Sequence, residues 1–163
     1  MQREWIVLCP GVVFLLHALI YAFTQTDVAV IVQLPVYAPF LSVPKIAGRR
    51  LLLNPLKFEH SRYRFDLDHC ARCAADGARL LLLCSPHNPI GRVWQAQELQ
   101  ALLEICQRYG ITVVSDEIHA DLVYPGEQHT LLVMLAQAQA QSTSSLPSHP
   151  AKPSTSPVSA FPL

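Results

Sequence analysis

Charge is scarce in this sequence, and what there is cancels. Only 15% of the 163 residues are charged and the formal net charge is zero. That balance gives no electrostatic case for a nucleic-acid partner or an acidic membrane surface. An even set of cysteines is also lacking: Cys9, Cys70, Cys73, Cys84 and Cys106 make five. A disulfide framework calls for an even number in a small, loop-rich secreted chain. The Cys70–Cys73 pair has no second CxxC or HxxxH to complete a zinc site. Reduced cysteines in a cytoplasmic protein are the expectation. A clean membrane span is missing too. The run from Trp5 to Phe23 has about the length of one, but Pro10-Gly11 breaks it, His17 lies inside it, and Arg3 and Glu4 precede it together. A signal peptide would need a net positive start and a small-residue cleavage site. The run is read as a short strand, a turn and a buried helix.

What is present is a core. Half of the residues are hydrophobic, enough for one domain of this length. Four short runs, Trp5–Cys9, Val28–Val32, Arg79–Cys84 and Ile111–Ser115, are apolar on both faces, as strands covered on both sides are. Between them lie helical stretches. Gln95–Tyr109 puts Leu99, Leu102, Leu103 and Cys106 on one stripe and stops at Gly110. Val13–Phe23 is a second helix, and Asp66–Ala75 a third with an acidic first turn. The alternation predicts an α/β class, an incomplete three-layer α/β/α with a mainly parallel sheet, over residues 1–136. From 137 to 163 there are seven serines, five prolines and one charged residue. That composition predicts a disordered low-complexity tail.

Two segments carry chemistry. Leu80–Leu83 runs into Cys84-Ser85-Pro86-His87-Asn88-Pro89-Ile90-Gly91, a polar turn at a strand's C-terminal end, where open α/β sheets bind ligands. Its prolines would hold the Asn88 side chain in one direction; a plain strand-to-helix turn would use the same residues. In the second, Ile111–Val114 delivers Asp116 to a strand end, where burial raises a carboxyl pKa unless a cation keeps it ionised. A protonated ring nitrogen is such a cation. Glu117, His119 and Asp121 add titratable groups, but at no recognised metal-ligand spacing. Gly11, between an apolar run and an apolar helix, would present free backbone N–H groups to an anion, or merely serve the turn.

Together, and in this order, these segments resemble the fold-type I pyridoxal-phosphate enzymes, in particular the MalY/PatB branch of the class I/II aminotransferases. The resemblance runs from Glu4 to about Thr130, through EWIVLCPGVV, VQLPVYAPF, RYRFDLD, LLLCSPHNPIGRVW and VVSDEIHADLVY. It implies a carbon–sulfur lyase acting on cystathionine or cysteine conjugates, or an aminotransferase, with pyridoxal 5'-phosphate as cofactor. It further implies a small amino-acid substrate and a homodimer. By the same resemblance Asp116 matches the residue that pairs with the pyridine nitrogen, and Asn88 and His119 match contacts to the ring's 3-oxygen. Tyr37 matches the aromatic that stacks on the ring, and Gly11, Val12 and Val13 the phosphate turn. The family's Schiff-base lysine has no counterpart here. Lys45 and Lys57 precede both motifs, and Lys152 sits between prolines in the tail. No matched motif assigns Arg92 or Arg108 to the substrate carboxylate. The expectation is a fragment of the large domain, such as a truncated or frame-shifted reading would give. It would lack catalysis of its own, with a non-catalytic remnant as the alternative.

Overall fold

The computed structural model describes residues 6–137 and the short strand at 158–160. Helix α1 (Val12–Phe23) leads into β1 (Ala29–Leu34), α2 (Pro39–Ile46) and β2 (Arg50–Pro55). A hairpin of β3 (Lys57–Glu59) and β4 (Arg62–Arg64) follows. Then come α3 (Leu67–Ala75), β5 (Ala78–Cys84), α4 (Ala96–Tyr109) and β6 (Thr112–Asp116), with β7 (Val158–Ala160) last. Residues 132–137 are also helical.

The main sheet has the order β2-β1-β5-β6-β7, and every pairing in it is parallel. The chain steps from β1 outward to β2 through α2, then back across β1 to β5 through α3. Right-handed crossovers taken in opposite directions place their helices on opposite faces. Accordingly α1 and α2 pack with Val30, Val32, Leu80, Leu82 and Val114 on one face. Helices α3 and α4 pack with Ile31, Leu81, Leu83 and Val113 on the other. Both faces are apolar, which is why the strands read as continuous leucine and valine runs rather than alternating ones. Each of Leu80–Leu83 is fully buried, a contribution of about 1.5–3 kcal/mol per side chain.

Local signals explain the helix ends. Asp66 caps α3, its carboxylate accepting from the His69 N–H at 2.9 Å. Helix α4 opens on a capping box between Gln95 and Glu98 and closes on Gly110 in the left-handed conformation at φ 65°. Arg49 is buried where α1 and α2 both end. It donates to the Thr24 hydroxyl at 2.8 Å and to the carbonyls of Thr24 and Ala47 at 2.9 and 2.6 Å. A guanidinium there complements the negative ends of two helix dipoles.

Three of the four expected strands are present, as β1, β5 and β6. The run expected first is not a strand. Ile6, Val7 and Leu8 are 55–79% exposed in non-helical, unpaired backbone, and no strand edge is paired with them. The tail expectation meets the described residues only at 158–160, which form β7 beside β6 in the register Val114↔Val158. These three residues lie along the outer edge of β6. The rest of 138–163 lies outside the described residues. No helix among the described residues is long and apolar enough to cross a membrane.

Candidate active site

The step from β1 out to β2 and back to β5 makes β1/β5 a switch point, where the turns leaving two neighbouring parallel strands diverge. Tyr37 and Asn88 sit on those two turns. The Tyr37 backbone N–H donates to the Asn88 carbonyl at 3.1 Å, so the two turns are fastened to each other. Tyr37 itself is 44% exposed, leaving its ring free to meet a ligand.

His87 adds a second fastening that its sequence neighbourhood did not reveal. It is buried, and its Nε2 lies 2.8 Å from the Pro35 carbonyl. A carbonyl only accepts, so Nε2 carries the proton. Burial holds the His87 pKa below its usual value, which keeps the ring neutral. The Asn88 N–H donates to Cys84 Sγ at 3.3 Å, and burial pushes the Cys84 thiol up to about 12. That cysteine is therefore a fixed thiol and a structural acceptor. All five cysteines are free.

Asp116 ends β6 and pairs in register with Cys84 of β5. Its carbonyl accepts from the Ser85 N–H at 3.0 Å, and its Oδ1 accepts from the Ile118 N–H at 3.1 Å. It is 4% exposed and makes no ion pair among the described residues. Burial raises its pKa above 3.8, against lowering contributions from the Ile118 N–H and from His119. A buried carboxylate with one hydrogen bond and no cation is a costly group left open for a positive partner.

His119 follows in the turn after β6 and lines a cleft of about 330 Å³ with Asn88, Pro89, Leu122, Val123 and Tyr124. Helix α1 runs back along the sheet to reach the start of β1, so its N-terminus lies at the strands' carboxyl edge. Gly11 caps it at φ 141°, and no side chain or first-turn acid covers its free N–H groups. A Cβ on Gly11 would meet nothing within 4 Å, so backbone conformation rather than space requires glycine. Val12 and Val13 open the helix.

Uncovered helix N–H groups suit an anion, and an unpaired buried carboxylate suits a cation. Pyridoxal phosphate carries both. The remaining titratable groups lie elsewhere. Glu117 bonds to Ser115 and Leu132, and Asp121 is exposed. No cluster of three or more His, Cys, Asp or Glu among the described residues could hold a metal. Arg92 is engaged by both carboxylate oxygens of Glu98 at 2.7 and 2.8 Å. Arg108 lies exposed in the last turn of α4. Lys45 is exposed on α2, Lys57 pairs with Asp66 at 3.2 Å, and Lys152 lies outside the described residues.

Residues 1–144 match the model of the family described as aminotransferase class I and II. The chain is 42% identical over 134 residues to cystathionine beta-lyase PatB of Bacillus subtilis, covering 82% of this chain and 35% of that protein. It is 25% identical over 138 residues to the aspartate aminotransferase of the same organism, covering 85% and 35%. The crystal structure of cystalysin from Treponema denticola, which contains pyridoxal 5'-phosphate, superposes with a TM-score of 0.82 at 34% identity. That match covers 86% of this chain and 36% of cystalysin. The chain thus spans about a third of the length of the curated relatives it matches.

Proposed function

Since this chain belongs to the aminotransferase class I and II family, we propose that it forms the cofactor-binding core of a pyridoxal-phosphate enzyme acting on amino acids. Carbon–sulfur lysis of cystathionine or cysteine conjugates is the favoured chemistry, ahead of transamination, because the identity to the PatB lyase exceeds that to the aspartate aminotransferase. The observation that carries the reading is Asp116, a buried carboxylate without a cation at a parallel-strand end.

When bound, pyridoxal phosphate supplies an electron sink for the pair left on an amino acid's α-carbon. The chain's own groups do the rest. Asp116 holds a proton on the ring nitrogen by its negative charge. Asn88 and His119 would reach the ring's 3-oxygen, Tyr37 would stack on the ring, and the N–H groups after Gly11 would hold the phosphate. The cleft beside His119 takes the amino acid's side chain. In a cytoplasmic setting two copies would pair as they do in the family.

This chain by itself binds the cofactor without turning over substrate. Neither described lysine stands at a strand end beside Asp116. Titration with pyridoxal phosphate tests both halves. Binding should appear as an induced visible circular-dichroism band that disappears on dialysis, and borohydride treatment should fix no more cofactor than an exposed lysine such as Lys45 takes up adventitiously. A band that survives dialysis, or release of thiol from cystathionine, would defeat the claim of inactivity. No binding at millimolar cofactor would defeat the whole reading.

A further inference from the structure

Glu117 is the acid that the cofactor reading leaves without a task. It is 1% exposed and shares its side of the extended chain with Ser115, away from Asp116. Its Oε1 accepts from the Ser115 hydroxyl and from the Leu132 backbone N–H, both at 3.0 Å. Its Oε2 lies 3.5 Å from His129 Nε2, on a side chain only 8% exposed. Leu132 opens the helical residues 132–137 and is buried in the core shared with α4, against which Leu135 and Ala136 also pack. One buried carboxylate therefore ties the start of that helical segment to the end of β6.

The loop between them, residues 118–131, is held at both ends. The Ile118 N–H donates to Asp116 at one end, and the Leu132 N–H donates to Glu117 at the other. Charge-assisted bonds from backbone N–H groups to a buried carboxylate are among the stronger hydrogen bonds. Within this loop lie His119, Leu122, Val123 and Tyr124, one wall of the cleft whose other side carries Asn88 and Pro89.

We propose that Glu117 is a positioning residue: by clamping the base of the 118–131 loop it sets His119 and the Leu122–Tyr124 wall against Asn88. The ligand in this proposal rests on the pyridoxal-phosphate reading, whereas the clamp itself does not. Glu117→Ala and Glu117→Gln, each in the full chain, test it. In Glu117→Ala, amide hydrogen exchange across 118–131 should accelerate at least about tenfold while β5 and α4 keep their protection. Affinity for pyridoxal phosphate should fall about tenfold. Glu117→Gln keeps an oxygen for the Leu132 N–H and should restore loop protection and most of the affinity. Unchanged loop exchange in Glu117→Ala would overturn the proposal, as would loosening spread evenly over β5 and α4. So would a loosened loop with unaltered cofactor affinity. If the unaltered chain binds no cofactor, the functional reading fails, and the exchange measurement alone still decides the clamp.

Discussion

Two segments of this chain have similar composition and opposite fates. Ile6–Cys9 and Leu80–Cys84 are both short apolar runs that end in a turn with proline and glycine, and both turns are candidate cofactor contacts. The second run is the centre of the sheet, buried on both faces and paired on both edges. The first is solvent-exposed and has no partner strand. The difference lies in pairing rather than propensity. Strand β1 has β2 on one side and β5 on the other, and β6 pairs with β5 and β7. The two turns are correspondingly unequal. Asn88 is fixed by a sewn pair of strand ends, while the cradle at Gly11 depends on α1 alone.

Truncating one leucine in each run should separate the two most widely. Leu82→Ala in β5 should cost about 2–5 kcal/mol, the range for a fully buried leucine. Leu8→Ala should change stability by less than about 0.5 kcal/mol. Urea denaturation midpoints measure both, and a large loss at Leu8 would mean that the leading run is packed in solution. Gly11→Ala is next. At φ 141° an alanine is strained, but the unpaired segment before it can yield, so the stability loss should be about 1 kcal/mol. The same change should weaken pyridoxal phosphate about tenfold, leaving the weaker binding of phosphate-free pyridoxal nearly unaltered. The smallest effect is expected from ending the chain at Pro157. Losing β7 should cost about 0.5 kcal/mol or less and is better seen as concentration-dependent association, since it bares the outer edge of β6. Light scattering reads that directly.

What the sequence disclosed followed from signals confined to one element. The stripe of Leu99, Leu102, Leu103 and Cys106, stopped by Gly110, defines α4 within a residue. The runs of β1, β5 and β6 are unmistakable because both of their faces are covered. Strand β2 escaped notice because it begins at exposed Arg50, ends at Pro55 and buries little besides Asn54. Helix α2 was hidden by Pro39 and by Pro44 within it. The leading run departs from the expected strand because pairing depends on a partner supplied by a distant part of the chain. At the site, the residue types at the strand ends were legible, while their fastening was not. The Tyr37–Asn88, His87–Pro35 and Glu117–Leu132 hydrogen bonds all join segments that only the topology brings together.

Asp116 is a buried carboxylate open to a cation, and its titration has a definite sign. Burial raises the folded-state pKa above 3.8, so folding disfavours the ionised form relative to the unfolded chain. Stability present below 3.8 is lost as pH rises from there through the folded value, and the deficit persists at neutrality. Asp116→Asn cannot ionise, and its amide oxygen still accepts from the Ile118 N–H. The deciding measurement is the thermal midpoint at pH 7 of both chains, with and without saturating pyridoxal phosphate. Without cofactor Asp116→Asn should melt higher than the unaltered chain, and cofactor should raise the midpoint of the unaltered chain alone. A variant that melts lower without cofactor, or is stabilised by it as much as the unaltered chain, would mean that Asp116 is not held for a cation.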